Sequence, residues 1–155
     1  NEAAKTVPIF HSSNMSLGVA VLSALTQKAA AVLGDTFDIE VVEMHHNQKV
    51  DAPSGTALML ADAAAAGLSY EPRYTYDRHT RREKREKNEI GIASLRGGTV
   101  VGEHSVYFAG EQEVITLSHS AGSRSVFAAG ALTAAAFLQG KDAGLYTMED
   151  IIGSI

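Results

Sequence analysis

The densest group of residues that could carry chemistry is a polar stretch, residues 43–56, which holds two adjacent histidines and a lysine. His45 can exchange a proton with a substrate near neutral pH, because an imidazole titrates there. Lys49 is a cation that can hold an anion or donate a proton. The stretch ends where a helix is predicted to open, and helix N-terminal amides favour a carboxylate or phosphate by roughly 0.3–2 kcal/mol. The residues at that opening are Ser54, Gly55 and Thr56.

Less specific interpretations of the same residues stay open at this point. His45 and His46 can be surface residues, and residues 51–55 can form no more than a capping turn. A zinc site is a weaker alternative, because no cysteine or acidic residue completes a recognisable ligand spacing. No metal is therefore expected. A histidine, a lysine and a helix start close together in sequence favour a binding site over these alternatives.

Three residues outside this stretch are further candidates. Arg124 follows Ser123 at a predicted helix start, where a guanidinium can hold an anion or form an ordinary surface ion pair. His104 and His119 lie in predicted strands, where a structural role is expected.

The elements that must position the polar stretch can be predicted from apolar spacing. Residues 17–33 have helical spacing, and Gly34 follows where a left-handed cap is expected. Residues 37–43 alternate as a strand, and residues 56–66 form a helix that ends at Gly67. The other predicted elements are strands at 90–95, 100–108 and 113–119, a helix at 124–138 closed by Gly140, and a short helix near 148–152.

This order predicts an α+β fold, with an open mixed sheet of about four strands and helices on one face. Residues 96–99 resemble a hairpin turn, so the last three strands are expected to form a meander. The other face of the sheet is expected to be available for oligomerisation. The apolar residues predicted to supply that interface are Val101, Tyr107, Val114 and Ile115.

Composition excludes several classes of protein. With 155 residues, 45% of them hydrophobic, the chain can bury a core and is not a disordered polymer. It has no cysteine, which excludes disulfides and thiolate metal sites and fits a reducing, cytoplasmic compartment. A net charge of −5 argues against general nucleic-acid binding. No apolar run approaches the roughly 18 residues needed to cross a bilayer, so no membrane partner is expected.

A basic segment, residues 78–87, departs from this acidic average, with six basic residues against two acidic ones. Such a run is most often a solvated or mobile loop. A nucleic-acid arm is a remote alternative, because no aromatic residues are interleaved with the charges.

The polar stretch resembles the signature of the 4-hydroxy-tetrahydrodipicolinate reductases, also called dihydrodipicolinate reductases. The matching positions are Glu43, His45, His46, Lys49 and residues 51–57. Similar stretches occur at residues 14–19, 90–91, 96–98, 101–104, 123–124, 127–128, 130–131 and 144–146. The resemblance therefore covers nearly the whole chain.

The resemblance implies an enzyme that uses NADH or NADPH to reduce a cyclic dicarboxylate to tetrahydrodipicolinate, in the diaminopimelate route to lysine. By position, His45 resembles the proton donor or acceptor and Lys49 the proton donor. The candidate substrate contacts are His46, Ser54, Gly55, Thr56 and Arg124. The candidate nicotinamide contacts are Ser12, Ser13, Asn14 and Met15, where Met15 departs from the usual phenylalanine.

The family also has an N-terminal dinucleotide-binding domain opened by a glycine-rich turn. Here the only glycines before Asp38 are Gly18 and Gly34, so that fingerprint is not in this sequence. The resemblance further implies a homotetramer built through the open sheet face, and places residues 68–89 near the site as a possible flap.

Three segments are expected on this basis. Residues 1–10 would be the end of a dinucleotide-binding domain, residues 11–143 the substrate-binding and oligomerisation domain, and residues 144–155 a tail that returns to the first domain. The chain alone is expected to be inactive. The alternative is a non-catalytic oligomerisation or dicarboxylate-binding module.

Overall fold

The computed structural model describes residues 2–153, which fall into two compact units. The larger unit runs from Leu22 to Gly122, and the smaller contains the described residues up to Val21 and from Ser123 onward. The described helices are α1 (Leu17–Leu33), α2 (Gly55–Gly67), α3 (Ser125–Phe137) and α4 (Met148–Gly153), with a short 3-10 helix at Ala3–Lys5. The described strands are β1 (Pro8–Phe10), β2 (Asp38–His45), β3 (Arg73–Thr75), β4 (Glu89–Arg96), β5 (Glu103–Ala109), β6 (Val114–Ser120) and β7 (Gly144–Tyr146).

The main sheet has five strands in the order β3-β4-β2-β5-β6. Strand β4 runs parallel to both β3 and β2, whereas β5 runs antiparallel to β2 and β6. The prediction of an α+β fold with an open mixed sheet is therefore confirmed. Strand β3 is additional, because a three-residue strand leaves too short a pattern to identify from sequence.

The prediction of a hairpin at residues 96–99 is wrong, because β2 lies between β4 and β5. The turn residues bind the end of β2 instead of closing a ladder. Gly97 N donates to the His45 carbonyl at 2.9 Å, and His46 N donates to the Val100 carbonyl at 2.7 Å. Gly98 adopts the left-handed conformation (φ +52°) that also makes hairpin turns favourable, so the local signal was the same.

The core lies on one face of the main sheet. Alternate residues of β2 point to this face, and Ile39 and Val41 are almost completely buried there. They pack with α2 and with the part of α1 that lies in the larger unit, which confirms the prediction of helices on one face. Complete burial of each such side chain contributes roughly 1.5–3 kcal/mol. The opposite face is called the open face below.

Two glycines end helices for different reasons. Gly140 has φ +73° after α3, as a left-handed cap requires. Gly34 has no positive φ, so the left-handed cap predicted there is wrong. A Cβ on Gly34 would lie 2.0 Å from Leu68 Cδ2, so glycine is needed at that position for close packing.

The basic segment is docked on the open face. Arg85 Nη1 donates to Asp38 at 2.9 Å and Arg85 Nε to Glu40 at 3.1 Å, while Arg78 bonds to both Glu40 and the buried Glu89. These carboxylates neutralise much of the positive charge of the segment, although most of its residues stay exposed to solvent. The same ion pairs place the basic segment at the start of β2, roughly 20 Å along the strand from His45. The segment therefore does not lie beside His45, where a flap was expected.

The smaller unit contains a two-stranded parallel sheet in which β1 pairs with β7. Phe137 contacts the rings of Phe10 and Tyr146 edge-on. The buried core of this unit is formed by Ala20, Ala134, Met148 and Ile151.

The segment boundaries expected at residues 10 and 143 stay a prediction. Within residues 2–153, no helix is both long enough and apolar enough to cross a bilayer.

Candidate active site

A fully enclosed carboxylate, Glu43, lies near the end of β2 on the helix-covered face. Arg96 Nη1 donates to Glu43 Oε2 and Arg96 Nη2 to Oε1, each at 2.9 Å. The parallel register aligns Arg96 with His45, so both side chains lie at the carboxyl ends of adjacent strands. Sequence reasoning missed Arg96 as a site residue, because only the pairing of β2 with β4 brings it there.

The hydrogen bonds around Glu43 stabilise its ionised form. Burial raises the pKa of this carboxyl group, but donors from Arg96, Ser94, His45 and the Ser54 backbone more than offset that effect and lower it to about 2. Glu43 is therefore an anion at neutral pH and accepts from every one of these groups.

His45 contacts this carboxylate directly. Its Nδ1 lies 2.5 Å from Glu43 Oε2, and the residue is buried. On the other side of the ring, a Cβ placed on Gly102 would lie only 3.0 Å from His45 Nε2. A glycine at position 102 therefore keeps space open beside Nε2, the imidazole nitrogen that does not contact Glu43.

His104 packs against His45 and is part of the same cluster. The two rings meet edge-on with centroids 5.1 Å apart, and His104 Nε2 lies 3.1 Å from Ser54 Oγ. Burial, together with the neighbouring His45, lowers the pKa of His104 to about 4. His104 is therefore uncharged at neutral pH and packs against the His45 ring. This contact with the candidate site goes beyond the purely structural role expected from its place in a strand.

Lys49 lies on the loop that follows β2, where its Nζ is 2.8 Å from Asp51 Oδ1. The Lys49 side chain is 21% exposed and that of Asp51 is 60% exposed, so the pair is open to solvent. The hydrogen bond from Lys49 is the main cause of the lowered pKa of Asp51. His46 is half-buried on the same loop, which its backbone bond to Val100 holds in place.

Ser54 caps α2 and is already engaged by the protein. Its Oγ accepts from Ala57 N at 3.2 Å, and its own N donates to Glu43 Oε1 at 3.2 Å. Gly55 has open space where a side chain would stand, so it can approach a ligand closely. The roles predicted for Ser54, Gly55 and Thr56 toward a substrate stay predictions.

The other predicted contacts belong to the smaller unit, whereas His45 and Lys49 belong to the larger one. In the segment 12–15, Ser12 Oγ donates to the Asn14 carbonyl at 2.7 Å, and Asn14 Oδ1 accepts from Ser16 N at 2.8 Å. Arg124 immediately precedes α3, and its side chain makes no cap hydrogen bond there. The cofactor and substrate roles of these residues stay predictions.

A model of one protein family, described as dihydrodipicolinate reductase, C-terminus, matches residues 18–152. This chain belongs to the dihydrodipicolinate reductase family. The resemblance seen in the sequence is confirmed, and the matched region is the C-terminal domain of that family.

Curated relatives agree with this assignment. A 4-hydroxy-tetrahydrodipicolinate reductase from Caldanaerobacter subterraneus subsp. tengcongensis is 61% identical over 97% of this chain and 60% of its own length. One from Clostridium novyi is 50% identical over 99% of this chain and 61% of its own length. The chain thus spans about three fifths of the length of these relatives.

A solved structure has the same fold. It is the dipicolinate-bound dihydrodipicolinate reductase from Paenisporosarcina sp. TG-14, which matches with a TM-score of 0.74 and 26% identity. The match covers 94% of this chain and 55% of that one.

Within residues 2–153, no group of three histidine or acidic side chains is arranged to hold a metal ion.

Proposed function

We propose that this chain binds a cyclic dicarboxylate and supplies the proton in the reduction of 4-hydroxy-tetrahydrodipicolinate to tetrahydrodipicolinate. This reaction would serve lysine synthesis through diaminopimelate, in the cytoplasm. The observation that carries the proposal is the pairing of His45 Nδ1 with the ionised Glu43, which leaves Nε2 beside the space kept open by Gly102. The names of the relatives and the dipicolinate bound to the solved neighbour support it.

We assign the transfer of the proton to His45 or Lys49. Addition of a hydride to the substrate ring leaves an electron-rich system conjugated to nitrogen, which must take up a proton. A positioned acid typically accelerates such a step by about 10²–10⁴-fold. With Nδ1 facing Glu43, His45 accepts a proton at Nε2 when neutral and donates one there when protonated.

We assign the binding of the substrate carboxylates to cationic side chains and backbone amides of this chain. The Lys49–Asp51 pair is open to solvent on the Asp51 side, where water screens the attraction between the two charges. A substrate carboxylate can therefore bind beside Asp51 on the Lys49 ammonium, which has three N–H donors. We assign the remaining contacts with the two carboxylates to His46, Ser54, Gly55, Thr56 and Arg124.

The proposed cofactor is NADH or NADPH, which supplies the hydride when bound. In the segment 12–15, Ser12 and Asn14 use side-chain oxygens in local hydrogen bonds, and Ser13 is exposed. We propose that Ser12, Ser13, Asn14 and Met15 contact the nicotinamide end. The chain has no glycine-rich turn before Asp38 for the phosphates.

We further propose a homotetramer built through the open face. By register, Tyr107 and Val114 lie on that face, together with the half-exposed Leu95. Ile115 pairs with Phe108 and so points to the helix-covered face, and Val101 precedes β5. Tyr107, Val114 and Leu95 support an interface centred on β4, β5 and β6, whereas the prediction that Ile115 faces it is wrong.

The ends of the chain are proposed to pack with a dinucleotide-binding domain. Strand β1 pairs only with β7 among the described strands, and both are three residues long. Parallel sheets this small are uncommon, because parallel strands are normally covered on both faces in larger sheets. This supports the three segments, 1–10, 11–143 and 144–155, as parts of a larger architecture.

Calorimetric titration of the chain with pyridine-2,6-dicarboxylate tests the proposal. We expect saturable binding that is lost in Lys49→Ala and kept in Lys28→Ala, a matched change at an exposed lysine of α1. Absence of binding by the folded chain would contradict the proposal. Tetramers that ignore the ligand would favour a purely assembling module.

A further inference from the structure

The guanidinium of Arg96 contacts the two residues that hold the candidate proton carriers: Glu43, beside His45, and Asp51, beside Lys49. It binds both oxygens of Glu43, and Nη2 also donates to the backbone carbonyl of Asp51 at 2.6 Å. We propose that Arg96 is a positioning residue that sets the tautomer of His45 through Glu43 and the place of Lys49 through Asp51. This inference rests on the proposed function, because it concerns the same two side chains.

The first branch runs from Arg96 through Glu43 to His45. Each carboxylate oxygen has two N–H donors: Oε1 accepts from Arg96 Nη2 and Ser54 N, and Oε2 from Arg96 Nη1 and His45 Nδ1, while the Ser94 hydroxyl donates to the same carboxylate. An ionised carboxylate only accepts, so His45 must carry its proton on Nδ1. The lone pair of the neutral ring is then on Nε2, beside Gly102.

The second branch runs from Arg96 through Asp51 to Lys49. Arg96 Nη2 holds the Asp51 carbonyl, and the Asp51 carboxylate holds Lys49 Nζ at 2.8 Å. Asp51 lies on an exposed loop, so this bond from the end of β4 ties the loop to the sheet. One guanidinium thus fixes the spacing between the two candidate proton carriers.

An arginine is required for this arrangement. Its planar fork makes two parallel bonds to a carboxylate and still has N–H groups for a carbonyl, whereas a lysine ammonium is a point charge on a flexible stem. The rival explanation is that the Arg96–Glu43 pair only stabilises the fold. The position of the imidazole proton separates the two, because a purely structural pair has no influence on the His45 tautomer.

Replacement of Glu43 by glutamine should switch that tautomer. All four N–H donors around Glu43 meet an oxygen, so the new NH2 group must oppose two of them, whereas the Ser94 hydroxyl can turn to accept from it. At the Oε1 position it would oppose Arg96 and the Ser54 amide, neither of which can give up its proton. At the Oε2 position it would oppose Arg96 Nη1 and His45, and of these two donors His45 can move its proton to Nε2. Glu43→Gln therefore favours the Nε2–H form.

Replacement of Arg96 by methionine should also place a proton on Nε2. Glu43 would then be a buried anion with no guanidinium, which is strongly unfavourable. Its charge is relieved by protonation of Glu43, which then donates to Nδ1, or by protonation of His45 to the imidazolium. Both outcomes put a proton on Nε2, so the expected signature does not depend on which occurs.

The experiment is nitrogen-15 NMR of the histidine rings of the whole chain at pH 8, with calorimetry against pyridine-2,6-dicarboxylate. We expect Nδ1–H in the native chain, a proton on Nε2 in Glu43→Gln and Arg96→Met, and affinity at least about tenfold weaker in Arg96→Met. Arg73→Met is the matched control, because Arg73 pairs with the buried Glu89 at the other end of β4. It should keep both the tautomer and the affinity.

The positioning role is overturned if folded Arg96→Met keeps the native tautomer and an affinity within twofold of the native chain. Should Arg96→Met not fold, the near-isosteric Glu43→Gln decides, and an unchanged Nδ1–H form overturns the inference. The NMR measurement needs no substrate. A native chain that ignores the dicarboxylate therefore refutes the proposed function and leaves the tautomer test intact.

Discussion

Arg96 and Glu43 form a two-bond ion pair, with both distances at 2.9 Å, although 53 positions separate them in the chain. Glu43 is enclosed and Arg96 is mostly buried, so removal of Arg96 leaves Glu43 as a buried anion that water cannot reach. The parallel pairing of β2 with β4 is what brings them together. The stability of the domain and the arrangement of its proposed site therefore depend on the same contact.

The stability of this pair should be strongly non-additive. Arg96→Met or Glu43→Leu alone is expected to destabilise the domain by about 3–5 kcal/mol, because each leaves an uncompensated buried group. The double variant should lose clearly less than the sum of the two. Urea unfolding of the three variants measures this, and additive losses would show that the pair is not coupled.

The free energy of unfolding of the domain should decrease as the pH is lowered, because His104 is buried in its neutral form. Its pKa is lowered to about 4 by burial and by His45, with Glu43, His119 and Lys49 also near it. The unfolded histidine titrates at about 6.5, so the unfolded chain binds more protons between pH 6.5 and 4. The stabilising effect is complete above pH 6.5 and is lost progressively below it, at most about 3 kcal/mol in all.

The urea midpoint measured from pH 7.5 to pH 4.5 tests this prediction. His104→Gln can still bond to Ser54 but cannot titrate, so its midpoint should fall less steeply over that range. The stability that the lowered pKa of Glu43 contributes is lost only between pH 4.5, the ordinary pKa of a glutamate, and about pH 2, which separates the two groups. Equal slopes for the variant and the native chain would refute the assignment to His104.

Ser54→Ala should destabilise the domain by about 2 kcal/mol. The change removes the cap of α2, typically worth about 0.5–2 kcal/mol, and leaves His104 Nε2 without its hydroxyl partner. Ser54→Thr keeps the hydroxyl and is the conservative control. A loss below about 0.5 kcal/mol in urea unfolding would show that neither bond contributes as described.

Gly102→Ala should weaken dicarboxylate binding without unfolding the domain. The added Cβ would lie 3.0 Å from His45 Nε2, in the space that we assign to the ligand. We expect a loss of roughly tenfold in affinity, as for one hydrogen bond to a charged group. Gly122→Ala is the matched control, because a Cβ there has no heavy atom within 4 Å. Equal affinities in calorimetry would place the ligand elsewhere.

Glu89→Gln should release the basic segment. Arg73, Arg78 and Arg81 all pair with this buried carboxylate, which lowers the pKa of Glu89 despite its burial. Loss of its charge removes the shared anchor, so trypsin should cleave residues 78–87 faster than in the native chain. Glu111→Gln, at an exposed acidic residue outside this network, is the control. Unchanged cleavage would mean that Asp38 and Glu40 suffice.

Local sequence patterns predicted the parts of the site that are close in the chain. His45, Lys49 and the start of α2 follow one another within residues 43–56, so their proximity needs no knowledge of the sheet. Arg96 and His104 could not be placed in the same way. A Gly-Gly turn between two apolar runs indicates a hairpin, and nothing local shows that β2 enters between them.

The docking of the basic segment was equally inaccessible from the sequence. Its charge pattern is that of a solvated loop, and the acidic partners Asp38, Glu40 and Glu89 lie on two strands whose pairing is set by the tertiary fold. Alternation at residues 37–43 predicted a strand, but not that Glu43 and His45 would continue its buried series as a polar pair.

The most direct test of the central claim is to follow the His45 ring nitrogens while pyridine-2,6-dicarboxylate is titrated into the nitrogen-15-labelled chain. We predict that His45 Nε2 shifts with saturation at the affinity found by calorimetry, while Nδ1 keeps its bond to Glu43. Binding that leaves His45 Nε2 unchanged, or that shifts only exposed histidines such as His11 and His79, would contradict the account.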